Sequence, residues 1–136
     1  MDCPKLQALM DQAYDRYKVN NNWDRIEFVQ QLRGNECFAV PLGNLNYQVE
    51  NGGFSQWAYN GYNDTDSVVF LKSVLRQIST PAALKVLSLV EQFEQMVPEP
   101  SDEDDYADWS EQESHLSHEF YSVNDQMMAD AEAWLP

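Results

Sequence analysis

The stretch NGGFSQWAYNGYND, residues 51–64, decides the fold class, because two adjacent glycines beside aromatic residues admit two incompatible readings. A phosphate-cradling loop needs a preceding strand and either a GxGxxG spacing or a Lys-Ser/Thr pair behind the glycines. Neither pattern follows Gly52 and Gly53, and the residues before them do not alternate like a strand. The other reading is a helix corner. There the glycines supply positive φ angles, and Phe54, Trp57 and Tyr59 turn back onto a core. The corner reading predicts an all-α protein.

Helical periodicity extends outward on both sides. Upstream, Leu42, Leu45, Val49 and Tyr47 place a helix from about Pro41 to Glu50. Before it, Asp24 with Glu27 forms a capping box for a short helix carrying Ile26, Phe28, Val29 and Leu32 and closing at Gly34. The first helix spans about 4–18, with Leu6, Leu9, Met10, Ala13, Tyr14 and Tyr17 on one side and Asn20, Asn21 and Asn22 ending it. Downstream, Asp64 or Asp66 caps a helix containing Val68, Val69, Leu71, Val74, Leu75 and Ile78. Thr80-Pro81 opens the next, with Ala83, Leu84, Val86, Leu87, Val90 and Phe93 directed inward and Pro98 as the stop. Residues 98–110 read as an acidic loop, and Ser110 with Glu113 caps a final helix over 111–135. In that helix Leu116, Phe120, Val123, Met127, Ala131 and Trp134 form the core seam, while Glu111, His118, Asp125 and Glu132 line up outward at seven-residue spacing. The expectation is a compact single-domain bundle of about six helices over residues 1–136.

Charge is distributed very unevenly. The formal net charge is −15. The first 85 residues hold all eight cations against nine acids, and the remaining 51 hold fourteen acids and no cation. Direct nucleic-acid binding is excluded as a leading function, since phosphates require a basic face. A basic protein or a cation is the partner such a surface selects. Cys3 and Cys37 are too few for a disulfide framework and form no CxxC pair. The N-terminus lacks a basic head with an apolar run, and SVVFLKSVL is interrupted by Lys72 and far short of the ~20 residues of a membrane span. A soluble, cytoplasmic protein with no membrane association is expected.

The residues Asn51, Gly52, Gly53, Phe54, Gln56, Trp57, Tyr59 and Asn60 resemble the motif of the DNA-mimic-protein-nineteen-like family, a bacterial domain of unknown function; Ala58 stands where a larger residue is usual. The likeness runs from about residue 37 to the end, including the helices SVVFLKSVLRQIS and PAALKVLSLVEQF and the segment LSHEFYS. It implies an all-helical fold and an acidic surface that imitates the DNA backbone on a regulator's nucleic-acid-binding face. The motif itself carries no acid and reads as structural.

The candidate partner-binding residues are Asp102, Glu103, Asp104, Asp105, Asp108, Glu111, Asp125 and Glu132, each standing in for phosphate oxygens that accept from Lys or Arg. A DNA duplex carries one charge per ~1.7 Å of axis, so fourteen carboxylates match on the order of 24 Å. The outward row alone is too sparse, at ~10.5 Å between members. Neighbouring acids, including Glu91, Glu94, Glu119 and Asp130, or a second copy in a homodimer must fill the gaps.

Two other classes compete with mimicry. One is a cation-binding module, for which Asp102, Asp104, Tyr106, Asp108, Ser110 and Glu113 fall in the register of a twelve-residue calcium loop, although Ala107 replaces the turn glycine. The other is an immunity-type inhibitor of a basic toxin. His115 and His118 lie at i and i+3, a loose spacing for zinc. No catalytic constellation, metal site or cofactor motif is found, and the Asn63 sequon has no use in an intracellular chain.

Overall fold

The computed structural model describes residues 2–18, 24–96 and 98–136. Among them the chain forms seven helices and no strand. These are α1 (Pro4–Lys18), α2 (Arg25–Gln30), α3 (Glu36–Tyr59), α4 (Thr65–Ile78), α5 (Pro81–Gln95), α6 (Glu103–Tyr121) and α7 (Asn124–Trp134). None of the described helices is long and apolar enough to cross a membrane. The expected stop at Asn20–Asn22 lies outside the described residues.

Local capping accounts for several boundaries. Asp24 accepts from the Glu27 N–H at 3.0 Å, Asp64, and not Asp66, accepts from Ser67 N–H at 2.9 Å, and Thr80 Oγ1 accepts from Ala83 N–H at 3.3 Å. Helix α2 ends earlier than Gly34, at Gln30. Helix α3 begins five residues before Pro41 and carries that proline inside it. The proline forfeits one backbone hydrogen bond. Burial of Phe38, Ala39 and Val40 along the same turns, with Glu36 tied beneath them, outweighs that loss.

The glycine corner exists, but inside α3. Gly53 has φ +80 and ψ 179, a conformation essentially restricted to glycine, and Gly52 stays at negative φ. The helix resumes at Phe54, so the N–H groups just after the break have no partner one turn back. Helix α6 provides them. Ser117 Oγ accepts from Phe54 N–H at 3.1 Å and donates to Glu113 Oε1 at 2.7 Å, while Glu113 Oε1 also accepts from Ser55 N–H at 3.3 Å. Glu113 is therefore a buried partner of the break and not the capping-box residue expected beside Ser110. On the other side of the break, Gln48 Oε1 accepts from Gln56 Nε2 at 3.1 Å and from Asn60 Nδ2 at 2.8 Å, bracing the two halves of α3.

Phe54 and Trp57 enter the main core, where Phe54 meets Phe93 and Phe120 at ring separations of 5.4 and 5.7 Å. Tyr59 does not: it is 87% exposed, as the corner's geometry carries it outward. Tyr47, Val69 and Leu84 are likewise exposed, and Leu89 is buried in the α5 face that Leu84 was expected to share. A second, smaller cluster of Ala13, Tyr17, Phe28, Val29 and Val40 fastens α1 and α2 to α3.

The final helix is two. The chain turns at Ser122 and Val123, so α6 and α7 replace the single 111–135 helix. Met127 and Ala131 reach the core, while Trp134, stacked on Phe38 at 4.8 Å, remains 41% exposed. The acidic segment is also helical from Glu103 onward, leaving a loop of only a few residues after Pro98.

A Cβ placed on Gly53 would overlap Glu113 and lie 2.8 Å from Ser117 Oγ. Gly53→Ala is therefore expected to lower stability by about 2–4 kcal/mol, from the strained φ plus the displaced Glu113–Ser117 pair, as measured by urea denaturation.

Glu36 is fully buried, receives the Arg16 guanidinium, and accepts from Gln12 Nε2 at 2.7 Å and Arg33 N–H at 2.9 Å. The Arg16 hydrogen bonds hold its carboxyl down to about 2 from an ordinary 4.5. A depressed folded-state value stabilises fully above the unfolded value and is lost as pH falls. Of the acid destabilisation of the fold, about 3 kcal/mol is expected to arise from Glu36 between pH 4.5 and about 2. Glu36→Gln should flatten that part of the stability–pH profile, read by denaturation at a series of pH values.

Candidate functional site: the acidic face of helix α6

Helix α6 begins at Asp102, whose side chain accepts from Asp104 N–H at 3.0 Å and Asp105 N–H at 3.2 Å. Glu103, Asp104 and Asp105 occupy its first turn, where the helix dipole favours negative charge. That dipole explains how like charges tolerate one another there. On the inward side, Trp109, Glu113, Leu116, Ser117 and Phe120 are buried. Trp109 packs edge-on against Phe93 at 6.4 Å and stacks with Tyr106 at 6.3 Å, anchoring the acidic half of the helix.

With that side buried, the helical period directs Asp104, Asp108, Glu111 and His115 outward at i, i+4, i+7 and i+11. Glu103 and Asp105 flank this line, and all five carboxylates are exposed. From Glu103 to Glu111 the axis rises ~12 Å, so the four intervals between the five acids average roughly 3 Å of axis per charge. That density lies between one DNA strand, ~3.4 Å, and the duplex, ~1.7 Å. Among the described residues, no Lys or Arg pairs with any of them.

The row expected from seven-residue spacing is not continuous, because the turn at 122–123 interrupts it. Asp125 is exposed in the first turn of α7, beyond the C-terminal end of α6 and thus ~28 Å along its axis from the acidic start. Glu132 faces α1, where its carboxylate accepts from Lys5 N–H at 2.6 Å and Leu6 N–H at 3.2 Å and so caps that helix. Three of the four acids expected to fill gaps have internal roles. Glu94 pairs with Lys72 at 2.5 Å, Glu119 with Lys85 at 3.2 Å, and Asp130 accepts from Thr80 Oγ1 at 2.5 Å. The structure thus gathers Asp102, Glu103, Asp104, Asp105, Asp108 and Glu111 at one end and separates Asp125 and Glu132 from them.

The calcium register fails on geometry, because residues 103–113 form regular helix and cannot wrap an ion as a loop does. Among the described residues no group of three His, Cys, Asp or Glu side chains is arranged to hold a metal. His115 lies 3.8 Å from Glu119 within the same helix. Of the NGGF motif, Asn51 is exposed, Gly53 and Phe54 form the break and its core anchor, and Gln56 and Asn60 serve the Gln48 brace.

Neutralising exposed acids and removing the cap have different consequences. Asp102→Ala is expected to lower stability by about 1 kcal/mol, whereas Asp108→Asn should change it by less than about 0.5 kcal/mol, both read from thermal or urea melts.

No curated protein and no solved structure matches the chain. A family model described as DMP19-like protein matches residues 30–135, from the end of α2 through α3 to α7, including the glycine break, its Glu113–Ser117 partners and the acidic helix. The chain belongs to the DMP19-like protein family.

Proposed function

We propose that this chain is a non-enzymatic acidic protein whose α6 face occupies the DNA-binding surface of a basic regulatory protein. The observation that carries the reading is the run of five exposed carboxylates, Glu103 to Glu111, held by a packed helix at a charge density between that of one DNA strand and a duplex. The family's description supports the same reading. Each carboxylate accepts from a Lys or Arg that otherwise meets a phosphate. The fixed helix matters as much as the charge, since a flexible acidic tail would have to be ordered on binding.

Competition with DNA is the direct test. Regulatory proteins held on DNA-cellulose at about 0.1 M salt are expected to be displaced by this protein, with displacement fading as salt rises and the Debye length contracts. The variant carrying Asp104→Asn, Asp108→Asn and Glu111→Gln should lose about tenfold or more in potency. A partner bound equally well by that variant, or retained regardless of salt and of competing DNA, would refute the reading.

A further inference from the structure

The acids of α6 border a groove as well as a convex helix surface. Between the C-terminal part of α5 and the acidic half of α6 lies a depression of about 720 Å³ whose lining includes Met96, Asp108, Glu111 and Leu116. It adjoins a second depression of about 280 Å³, lined by Asp105, Asp108 and Trp109 among others, the two sharing Asp108 and Gln112. Met96, with the edges of the otherwise buried Leu116 and Trp109, thus forms a small apolar floor beside the amides of Gln92, Gln95 and Gln112, and Asp105, Asp108 and Glu111 form an acidic rim. Met96 is half-buried at the C-cap of α5. Trp109 is held in place by Phe93.

A phosphate backbone has no such floor. Surface carboxylates alone would give attraction that salt removes, whereas apolar burial is insensitive to salt and, for one well-seated aliphatic side chain, strengthens binding by about tenfold or more. Charge complementarity on the rim selects cationic side chains, and the apolar floor selects a segment that also carries a hydrophobic stripe. We infer that the α5–α6 groove takes an amphipathic basic helix of the partner, with Lys or Arg on Asp105, Asp108 and Glu111 and an aliphatic side chain on Met96 and Trp109. This deepens the proposed function and rests on it: the partner is recognised by a cationic helix with an apolar face and not by positive charge alone. Helix-in-groove docking of this kind reads anchors at i, i+3, i+4 and i+7.

Two synthetic peptides of about 15 residues, roughly four helical turns, decide the matter. Both carry the same Lys and Arg residues; one has Leu at helical spacing and the other has Ser at those positions. Binding is followed by fluorescence anisotropy from about 0.05 to 0.3 M salt. The Leu peptide is expected to bind about tenfold or more tightly at every salt concentration, with both affinities falling in parallel as salt rises. Met96→Ser should bring the Leu peptide down to the level of the Ser peptide while leaving the Ser peptide unchanged. Asp108→Asn with Glu111→Gln should weaken both peptides and flatten their salt dependence. Circular dichroism melts establish that each variant is folded, and the Met96 methyl and Trp109 indole NMR signals should shift with the Leu peptide. Equal binding of the two peptides, or indifference to Met96→Ser, overturns the groove inference while sparing the acidic face. Absence of binding by either peptide at low salt overturns both. Self-association that Met96→Ser abolishes, without peptide binding, assigns the groove to a second copy and likewise overturns the inference.

Discussion

Helix α3 is broken at Gly53, and the rest of the molecule depends on how that break is repaired. A helix restarting in the protein interior exposes N–H groups with no partner in the preceding turn, and a buried unpaired N–H costs about 1–3 kcal/mol. Ser117 and Glu113 answer Phe54 and Ser55 from a helix more than fifty residues away in sequence. The consequence is positional. Because one side of α6 must face the break with Glu113, Ser117, Leu116 and Phe120, the opposite side must present Asp104, Asp108 and Glu111 to solvent. The packing requirement and the functional surface are therefore two sides of the same helix.

Electrostatics reinforces the division. Arg16 is held by buried Glu36, Arg25 by Asp64 and the Tyr62 ring, Lys72 by Glu94, and Lys85 by Glu119. These cations are engaged within the fold. Among the described residues, no Lys or Arg pairs with the acids of the first turn of α6, which are stabilised by the helix dipole and the Asp102 cap. Local helix stability and an outward negative field are compatible here because both draw on charge at a helix N-terminus. The neighbouring α5 end then turns a charged rod into one wall of a groove, adding apolar surface next to the carboxylates.

Much of the helical framework was legible because its signals are local. Asp24, Asp64 and Thr80 cap helices where side chain and backbone are neighbours in sequence, and the apolar periodicity of residues 68–78 and 82–90 reports a burial that the fold fulfils. Departures occur where distant contacts override local preference. Pro41 sits inside α3 because the apolar side chains around it are buried. Glu113, three residues after Ser110, has a capping-box spacing, yet it is drawn to the Gly53 break. The heptad row of Glu111, His118, Asp125 and Glu132 assumes one straight helix, and the turn at Ser122–Val123 rotates its second half away. Asp102 followed by three acids is itself a local helix-start signal, since caps and first-turn carboxylates are what an N-terminus favours.

By itself, the sequence determined the all-α class, the place of the glycine corner, the family motif and the concentration of uncompensated acids in the last third, since each follows from residue type and short-range spacing. Only the tertiary structure decided which acids act together. Glu132 and Asp130 bond to groups from elsewhere in the chain, Glu94 and Glu119 find lysines, and Glu103 to Glu111 remain exposed on one packed helix. The physical reason is that a carboxylate's availability depends on the donors within a few ångströms of it, and those donors come from residues remote in the chain.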